Sequence, residues 1–324
     1  MRSFVLAFIV AAGAVLAPSP ASAAPQPVVA DLFSSTRAVR ISGDIAYMAS
    51  TAGLVIYDVS DRSNPQQLSQ LFLDRSGSLT LEISGDYAYV LSGEIVYEEA
   101  LLRIIDISDP LAPRIVGEFS DLMESRVHAM RVNGTTLTLG EGNAITLLDV
   151  SDPTHPTKLA SLPIISDPEQ IVSLALDDST LFAAWVGLGD QALTGGVTSV
   201  DISDPSAPTP ISVFALEGTP SSMTSIGDML YVGETLTAVV ALDASDPANI
   251  VEVDRIDFPL TGQVDVYAEG DRLFTGADGG DSGVLRVCER DSGGGPCRLH
   301  CRRAGWSVRP FRCRQSGARV PGSH

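Results

Sequence analysis

Acidic side chains in segments of unusual length are the residues of this chain whose type and spacing best suit chemistry. Glu98, Glu99 and Asp190 lie in two enlarged loops. Glu124 lies in the connection 121–126 between two units, and His128 follows at the entry of the next strand, where it could line a central channel. Carboxylates on loops above a rigid scaffold commonly form a contact surface. The alternative is that they are solvated and idle. His128 has no recognisable nucleophile or partner, so the sequence indicates no catalytic triad.

Two further carboxylates, Asp278 and Asp281, lie in a glycine-rich turn and could chelate Ca²⁺. The segment lacks the alternating ligands and the terminal Glu of an EF-hand loop, so a plain turn is favoured over a metal site. No other cofactor is expected: the chain has no Cys-x-x-Cys-His motif and little tryptophan, so nothing supports a haem or a quinone.

Five more aspartates recur at intervals of 42 to 52 residues. Each ends an apolar run and begins an Asp-x-Ser-Asp turn, which in four cases continues into Pro; they are Asp58, Asp106, Asp149, Asp201 and Asp243. Asp and Ser side chains can accept hydrogen bonds from backbone N–H groups just downstream, which predicts structural turns. A metal-binding or catalytic role is the alternative, and recurrence in every unit disfavours it.

The elements that must position these residues are short strands. In the first unit they are predicted over 38–42, 45–49, 54–58 and 66–73, separated by segments rich in Gly, Asp, Asn and Pro. The tight turn between the first two strands recurs as Gly85-Asp86, Asn133-Gly134, Asp177-Asp178, Gly227-Asp228 and Gly270-Asp271. A period of this size indicates a repeat architecture, and four-stranded units predict an all-β fold, a β-propeller. An open β-solenoid is the alternative.

The sequence predicts about six blades. Five units are complete, and a sixth is represented by its first three strands between residues 264 and 287. The segment 26–33 resembles the fourth strands of the other units. We expect it to complete the sixth blade and thereby close the ring with the N-terminal strand.

The apolar runs that lead into these turns carry a family resemblance. Leu54-Val-Ile-Tyr-Asp58, Leu102-Arg-Ile-Ile-Asp106 and their three counterparts resemble the LVIVD-repeat family over about residues 26–287. The first copy departs from the pattern with Arg62 in place of Pro. The resemblance implies a secreted or surface-exposed, mostly bacterial β-propeller. It implies no catalytic residues, since no general activity is assigned to the family.

Residues 1–23 have the features of a secretory signal peptide: Arg2, an apolar stretch, and Ala21-Ser-Ala23 as the cleavage site. The mature chain is therefore expected to be secreted, periplasmic or on the cell surface, with no transmembrane segment. Residues 24–287, the predicted propeller, contain no Cys, which fits a body with a core large enough to be stable without disulfides.

The charge of the body excludes two classes of partner. The formal net charge of the chain is −19, and residues 24–287 hold 38 acidic and 12 basic residues. Such a surface repels nucleic acid and anionic lipid. It suits cations or basic partners, or it serves only to keep the protein soluble.

The C-terminal tail, residues 288–324, differs from the body. It contains all four cysteines and eight arginines, and Cys288 stands where the repeat has Asp. Out-of-frame translation near codon 287 is the favoured interpretation. A zinc or disulfide knob and a basic interaction tail are the alternatives. We expect this tail to be disordered, since it lacks apolar content.

These observations together predict a non-enzymatic, monomeric interaction module that binds a protein or glycan at the cell envelope. A propeller enzyme, a hydrolase or lyase that uses loop carboxylates with or without Ca²⁺, is the alternative.

Overall fold

The computed structural model describes most of the predicted propeller. Described are residues 36–51, 53–74, 78–93, 100–122, 127–166, 169–187, 194–235, 238–257, 264–269, 272–277, 286–289 and 300–303. The predicted signal peptide and the predicted closing strand 26–33 lie outside these ranges. Every regular element within them is a β-strand.

Each of the first three sheets contains four antiparallel strands in chain order. The first is β1 (Thr36–Ser42), β2 (Ile45–Ser50), β3 (Gly53–Asp58) and β4 (Gln66–Leu71). The second is β5 (Ser78–Ser84), β6 (Tyr87–Gly93), β7 (Leu101–Asp106) and β8 (Arg114–Phe119). The third is β9 (Val127–Asn133), β10 (Thr136–Glu141), β11 (Ala144–Asp149) and β12 (Thr157–Pro163).

The remaining sheets have the same order. The fourth is β13 (Gln170–Asp177), β14 (Thr180–Gly187), β15 (Thr194–Asp201) and β16 (Thr209–Leu216). The fifth is β17 (Pro220–Ile226), β18 (Met229–Glu234), β19 (Ala238–Asp243) and β20 (Val251–Asp257). The sixth is β21 (Val264–Glu269), β22 (Arg272–Ala277), β23 (Arg286–Glu289) and β24 (His300–Arg303).

The turn between the first and second strand has two residues in each of the first five units. The first of them has a positive φ, which is 59° at Gly43 and 53° at Gly227. In the fourth sheet this position is Asp178, at φ 46°, the one non-glycine residue with positive φ among those described. The turns of the third and fourth sheets are thus Gly134-Thr135 and Asp178-Ser179, one residue later than predicted, because Asn133 and Asp177 still pair within their sheets.

Neighbouring sheets pack face to face, and each contact is a separate apolar cluster. Fully buried pairs such as Leu54 with Leu81 and Leu102 with Leu137 join the first three sheets. Corresponding clusters join the third sheet to the fourth, the fourth to the fifth and the fifth to the sixth. A fully buried Leu stabilises the fold by about 1.5–3 kcal/mol relative to an exposed one, so these contacts are the main source of stability.

Closure of the ring by the N-terminal strand is not seen. Five sheets take all their strands from complete units, whereas the fourth strand of the sixth sheet is β24, from the tail. No apolar cluster among the described residues joins the sixth sheet to the first. Val39 of β1 is accordingly 43% exposed, while Leu81, at the same register position in β5, is fully buried.

Two short stretches of the tail region are strands, which differs from the expected disorder. The backbone of β24 pairs with β23, and Cys301 lies opposite Cys288. Ladder hydrogen bonds use only backbone groups, so a segment of unsuitable composition can still extend a sheet edge. The other residues beyond 289 lie outside the described ranges, and the domain boundary at 287 stays a prediction.

The Asp-x-Ser-Asp turns have the same hydrogen bonds in all five units. The first Asp accepts a bond at Oδ1 from the backbone N–H of the Ser two residues later, at 2.8–3.0 Å. The second Asp accepts an equivalent bond at 2.9–3.0 Å. The residue after the Asp that begins each turn, for example Val59, donates its N–H to the preceding tight turn at 2.8–2.9 Å. Each turn is therefore fixed within its own sheet.

The same turns also contact the sheet that precedes them. Ser69 of β4 donates a hydrogen bond to the carbonyl oxygen of Pro110, and Ser212 of β16 donates one to that of Pro247, both at 2.6 Å. Gly117 of β8 lies so close to Pro153 that a Cβ would overlap its carbonyl oxygen. Ser69, Gly117 and Ser212 each come directly after a β-bulge, which recurs between the third and fourth strands of the first five sheets. We call this contact between an outer strand and the next turn the clasp.

The turn aspartates predict a loss of stability in acid. Hydrogen bonds from Ser or Thr side chains and from backbone N–H groups lower the pKa of the turn aspartates below 3.8, and at Asp106, where Arg114 adds a further bond, to about 2. These aspartates are Asp58, Asp61, Asp106, Asp149, Asp152, Asp201, Asp204 and Asp243. A lowered pKa in the folded state stabilises the protein above the unfolded-state pKa, and this contribution is lost as the pH falls through the folded-state pKa.

We therefore expect the thermal midpoint, followed by circular dichroism, to be steady from pH 7 to about 4.5 and to fall steeply between about pH 4 and 2. The Asp106→Asn variant, which cannot titrate at this position, should lose less of its own midpoint over that interval. A midpoint that is equal at pH 4 and pH 2 would contradict the prediction.

The clasp predicts that Gly117 cannot be enlarged. Gly117→Ala should lower the free energy of unfolding by about 1–3 kcal/mol, because the new methyl group displaces the Pro153 turn. Urea denaturation measures the change. Ser69→Ala, at the same register position, is the control: it removes one hydrogen bond, to the carbonyl oxygen of Pro110, worth about 1 kcal/mol. A Gly117→Ala protein with the wild-type urea midpoint would show that the close approach is unimportant.

Candidate functional site

Most of the predicted contact residues lie outside the part of the chain that the structure describes. Glu98, Glu99, Glu124, Asp190, Asp278 and Asp281 are outside the described ranges. His128 belongs to β9, but the position of its side chain is not described. A contact surface made of these residues, and a Ca²⁺ site at Asp278 and Asp281, therefore stay predictions.

The two ends of the sheets have different chemistry. One end, the turn face, carries the tight turns such as Gly43-Asp44 and the Asp-x-Ser-Asp turns. The other end, the loop face, carries the connections after the second and fourth strands, where the predicted contact residues belong. The best-defined polar site of the described residues is at the turn face, where the sequence does not predict one.

This site begins with an ion cluster on the first strands of three successive sheets. Glu82 of β5 accepts hydrogen bonds from Arg40 of β1 at 2.7 Å and from Arg131 of β9 at 2.8 Å, both at Oε1. Arg40 also donates from Nε to Oε2 at 3.3 Å, so that its contact is bidentate. Two guanidinium groups thus share one carboxylate, and the cluster has a net charge of +1.

The three charged residues occupy one register position. Each lies two residues before the end of its strand, and the next sheets have Ala175 and Thr224 there. Burial, opposed by the charge of Glu82, lowers the pKa of the Arg131 guanidinium. The group nevertheless stays charged, as arginine does in proteins.

A pocket of about 340 Å³ adjoins this cluster between β9, β13 and β17. Its polar lining comes from Arg131, Asn133, Asp178, Thr224 and Ser225, and its apolar lining comes from Val132, Ala175 and Leu176. The volume is at the lower end of the range found for small-molecule sites. We call it the turn-face pocket.

Carboxylates gather on the fourth and fifth sheets beside this pocket. Burial, followed by the charges of Asp178 and Asp228, raises the pKa of Asp177. Asn133 donates from Nδ2 to the carbonyl oxygen of Asp178 at 3.2 Å, which links the turns of the third and fourth sheets. The pocket is therefore lined by a basic residue of the third sheet, Arg131, and by an acidic residue of the fourth, Asp178.

Ion pairs near the loop face differ from the ion cluster at the turn face, because each of their charged groups has its partners within the protein. Arg103 of β7 is 2% exposed and donates hydrogen bonds to Asp74, Glu118 and Ser92. Glu234 is fully buried and pairs with Arg255 at 2.7 Å. Burial opposes the charge of Arg255, but the hydrogen bonds that it donates to Glu252 and Glu234, together with their negative charges, outweigh burial and raise its pKa.

The described residues contain no cluster of three His, Cys, Asp or Glu side chains able to hold a metal ion. The same part of the chain has no helix long and apolar enough to cross a membrane. The turn aspartates Asp58, Asp106, Asp149, Asp201 and Asp243 lie at the turn face, with their Oδ1 atoms bonded to backbone N–H groups.

Solved structures with the same arrangement of sheets differ widely in sequence. The periplasmic gluconolactonase of Pseudomonas aeruginosa is 16% identical, with a TM-score of 0.62 over 82% of this chain and 84% of that one. A hypothetical selenium-binding protein from Sulfolobus tokodaii is 14% identical, with a TM-score of 0.62 over 80% and 74%. A putative 6-phosphogluconolactonase from Bacteroides uniformis is 13% identical, with a TM-score of 0.60 over 80% and 81%. At these identities the likeness shows the fold alone.

The repeat itself identifies the family. The LVIVD repeat matches residues 34–70, 78–121, 140–162 and 192–214, which lie in the first four sheets. The fifth unit is outside these matches, although Asp243 and Asp246 make the same hydrogen bonds. No curated protein has a sequence that matches the chain. The chain belongs to the LVIVD-repeat family and folds as a β-propeller.

Proposed function

We propose that this protein is a secreted or cell-surface interaction module, without catalytic activity, that binds a protein or glycan of the cell envelope. The predicted signal peptide supports export. Residues 26–287, with their repeated sheets, form the scaffold in this proposal, and the tail after 287 contributes nothing to binding.

The observation that carries the proposal is the state of the charged groups at the turn-face pocket. Arg40, Glu82 and Arg131 hold one another in fixed ion pairs at 2.7–2.8 Å. Groups held in this way are preorganised to bind a polar ligand with little loss of side-chain freedom. A proton-transfer catalyst needs instead a group whose pKa lies near the working pH.

A second candidate is a hydrolase that opens sugar lactones. Two observations favour it: structures of similar fold are described as a gluconolactonase and a putative 6-phosphogluconolactonase, and Asp177 beside the pocket has a raised pKa. In this candidate Asp177 acts as the general base. Proteins this different in sequence share folds without sharing activities, so the binding module remains the first proposal.

Two measurements on the full chain separate the candidates. For a binding module we expect saturable co-sedimentation with isolated envelopes of the producing organism and no acceleration of glucono-δ-lactone hydrolysis. For the hydrolase we expect faster hydrolysis that Asp177→Asn abolishes while the fold, followed by circular dichroism, is retained. Absence of saturable binding to any envelope fraction would overturn the first proposal.

A further inference from the structure

We infer that the turn-face pocket binds the carboxylate-bearing ring of a hexuronic acid, with Arg131 as the residue that recognises the carboxylate. This inference rests on the proposed function, because it names the ligand class of the same binding module. It is carried by the unused hydrogen-bonding groups of the ion cluster and by the lining of the pocket.

Arg131 has donors that the protein does not use. Its Nη1 donates to Glu82 and to the carbonyl oxygen of Met130, both at 2.8 Å. A guanidinium has five N–H donors, and within the described residues the Nε and Nη2 atoms of Arg131 have no hydrogen-bond partner. These two atoms form an edge that can bind both oxygens of one carboxylate.

Arg40 shows this geometry in the same cluster. It binds Glu82 through Nε and Nη2, the two atoms that Arg131 leaves unused. Glu82 cannot serve both arginines in this manner, so the second guanidinium retains a free edge. The side chain of Arg131 is 29% exposed and lines the pocket, which makes that side chain accessible to a ligand.

The charge balance of the cluster favours an anion. Two guanidinium groups share one carboxylate, and an incoming carboxylate would neutralise the remaining positive charge. The body as a whole is strongly acidic, so an anionic ligand is attracted only at short range.

The rest of the lining suits sugar hydroxyls rather than a simple anion. Within the described residues the side-chain oxygen of Asn133 accepts no hydrogen bond, since this side chain contacts Asp178 only through Nδ2. Thr224 and Ser225 contribute hydroxyl groups to the lining, and that of Ser225 also donates to the carbonyl oxygen of Leu176 at 3.4 Å. Sugar hydroxyls donate as well as accept, so Asp178, which also lines the pocket, can accept a hydrogen bond from one of them. Val132, Ala175 and Leu176 offer an apolar surface to the C–H face of a pyranose ring.

Isothermal titration calorimetry of the full chain tests this inference, with D-glucuronate and D-galacturonate as probes. We expect at least one of them to bind roughly tenfold more tightly than the corresponding neutral hexose. Arg131→Gln should weaken that binding at least tenfold, and Arg131→Lys should rescue it only in part, since lysine cannot form a bidentate contact. Arg114→Gln is the matched control: this arginine is 74% exposed, pairs with Asp106 outside the pocket, and should be dispensable.

The Arg131→Gln protein should fold, because Glu82 keeps its bidentate partner Arg40; its thermal midpoint checks this. Thr224→Leu is a second variant, which fills the pocket without altering a charge and should also abolish binding. Equal affinity for the neutral hexose, or tighter binding of an α-amino acid than of either uronate, would overturn the inference. So would uronate binding that survives both substitutions.

Envelope binding distinguishes this inference from the proposed function. If the protein co-sediments with envelopes but calorimetry detects no uronate binding, the ligand class is wrong and the proposed interaction module still stands. Absence of both envelope binding and uronate binding would overturn the proposed function and the ligand class together. Competition of free uronate with envelope binding, removed by Arg131→Gln, is the result we expect.

Discussion

Burial of sheet faces against neighbouring sheets is the constraint on which this structure depends. A four-stranded sheet of this chain is apolar on both faces, as the fully buried Leu102 and Ile105 of the same strand show. Those residues belong to clusters shared with the third and the first sheet, respectively. A unit alone would expose one of these faces, so no sheet is stable by itself. Val39 of the first sheet is exposed because no described sheet covers that face.

The clasp explains why the Asp-x-Ser-Asp turn recurs at a fixed place. The side chain of Asp106 fixes the backbone of its turn, and the turn then presents the carbonyl oxygen of Pro110 to Ser69 of the preceding sheet. A turn of another shape would leave that carbonyl out of reach and would separate the outer strands. The aspartates thus act between sheets as well as within them, which is a cause for their repetition that needs no ligand.

The strands and turns within each unit were predictable from the sequence, whereas the contacts between units were not. Alternating apolar runs bounded by Gly-Asp and Asp-x-Ser-Asp predicted the strands and turns of β1–β20, because both depend on residues a few positions apart. The cluster of Arg40, Glu82 and Arg131 joins residues more than 40 positions apart. The sequence did contain a sign of this cluster, because all three residues occupy the same register position of their strands. Their contact, however, depends on the order in which the sheets pack. Closure by the N-terminal strand also required a pairing between distant segments, and it is not seen.

Variation at one register position gives this repetitive scaffold a single distinct site. The first strands of successive sheets carry Arg40, Glu82, Arg131, Ala175 and Thr224 at equivalent places, so charge is concentrated on one side and small or polar residues on the other. The small side chains of Ala175 and Thr224 leave the space that the larger ones fill elsewhere, and the turn-face pocket occupies it. Because the repeats hold the backbone constant, substitutions at this position can alter the lining of the pocket without altering the fold. A binding site of this kind can differ between members of the family while the turns and clasps stay the same.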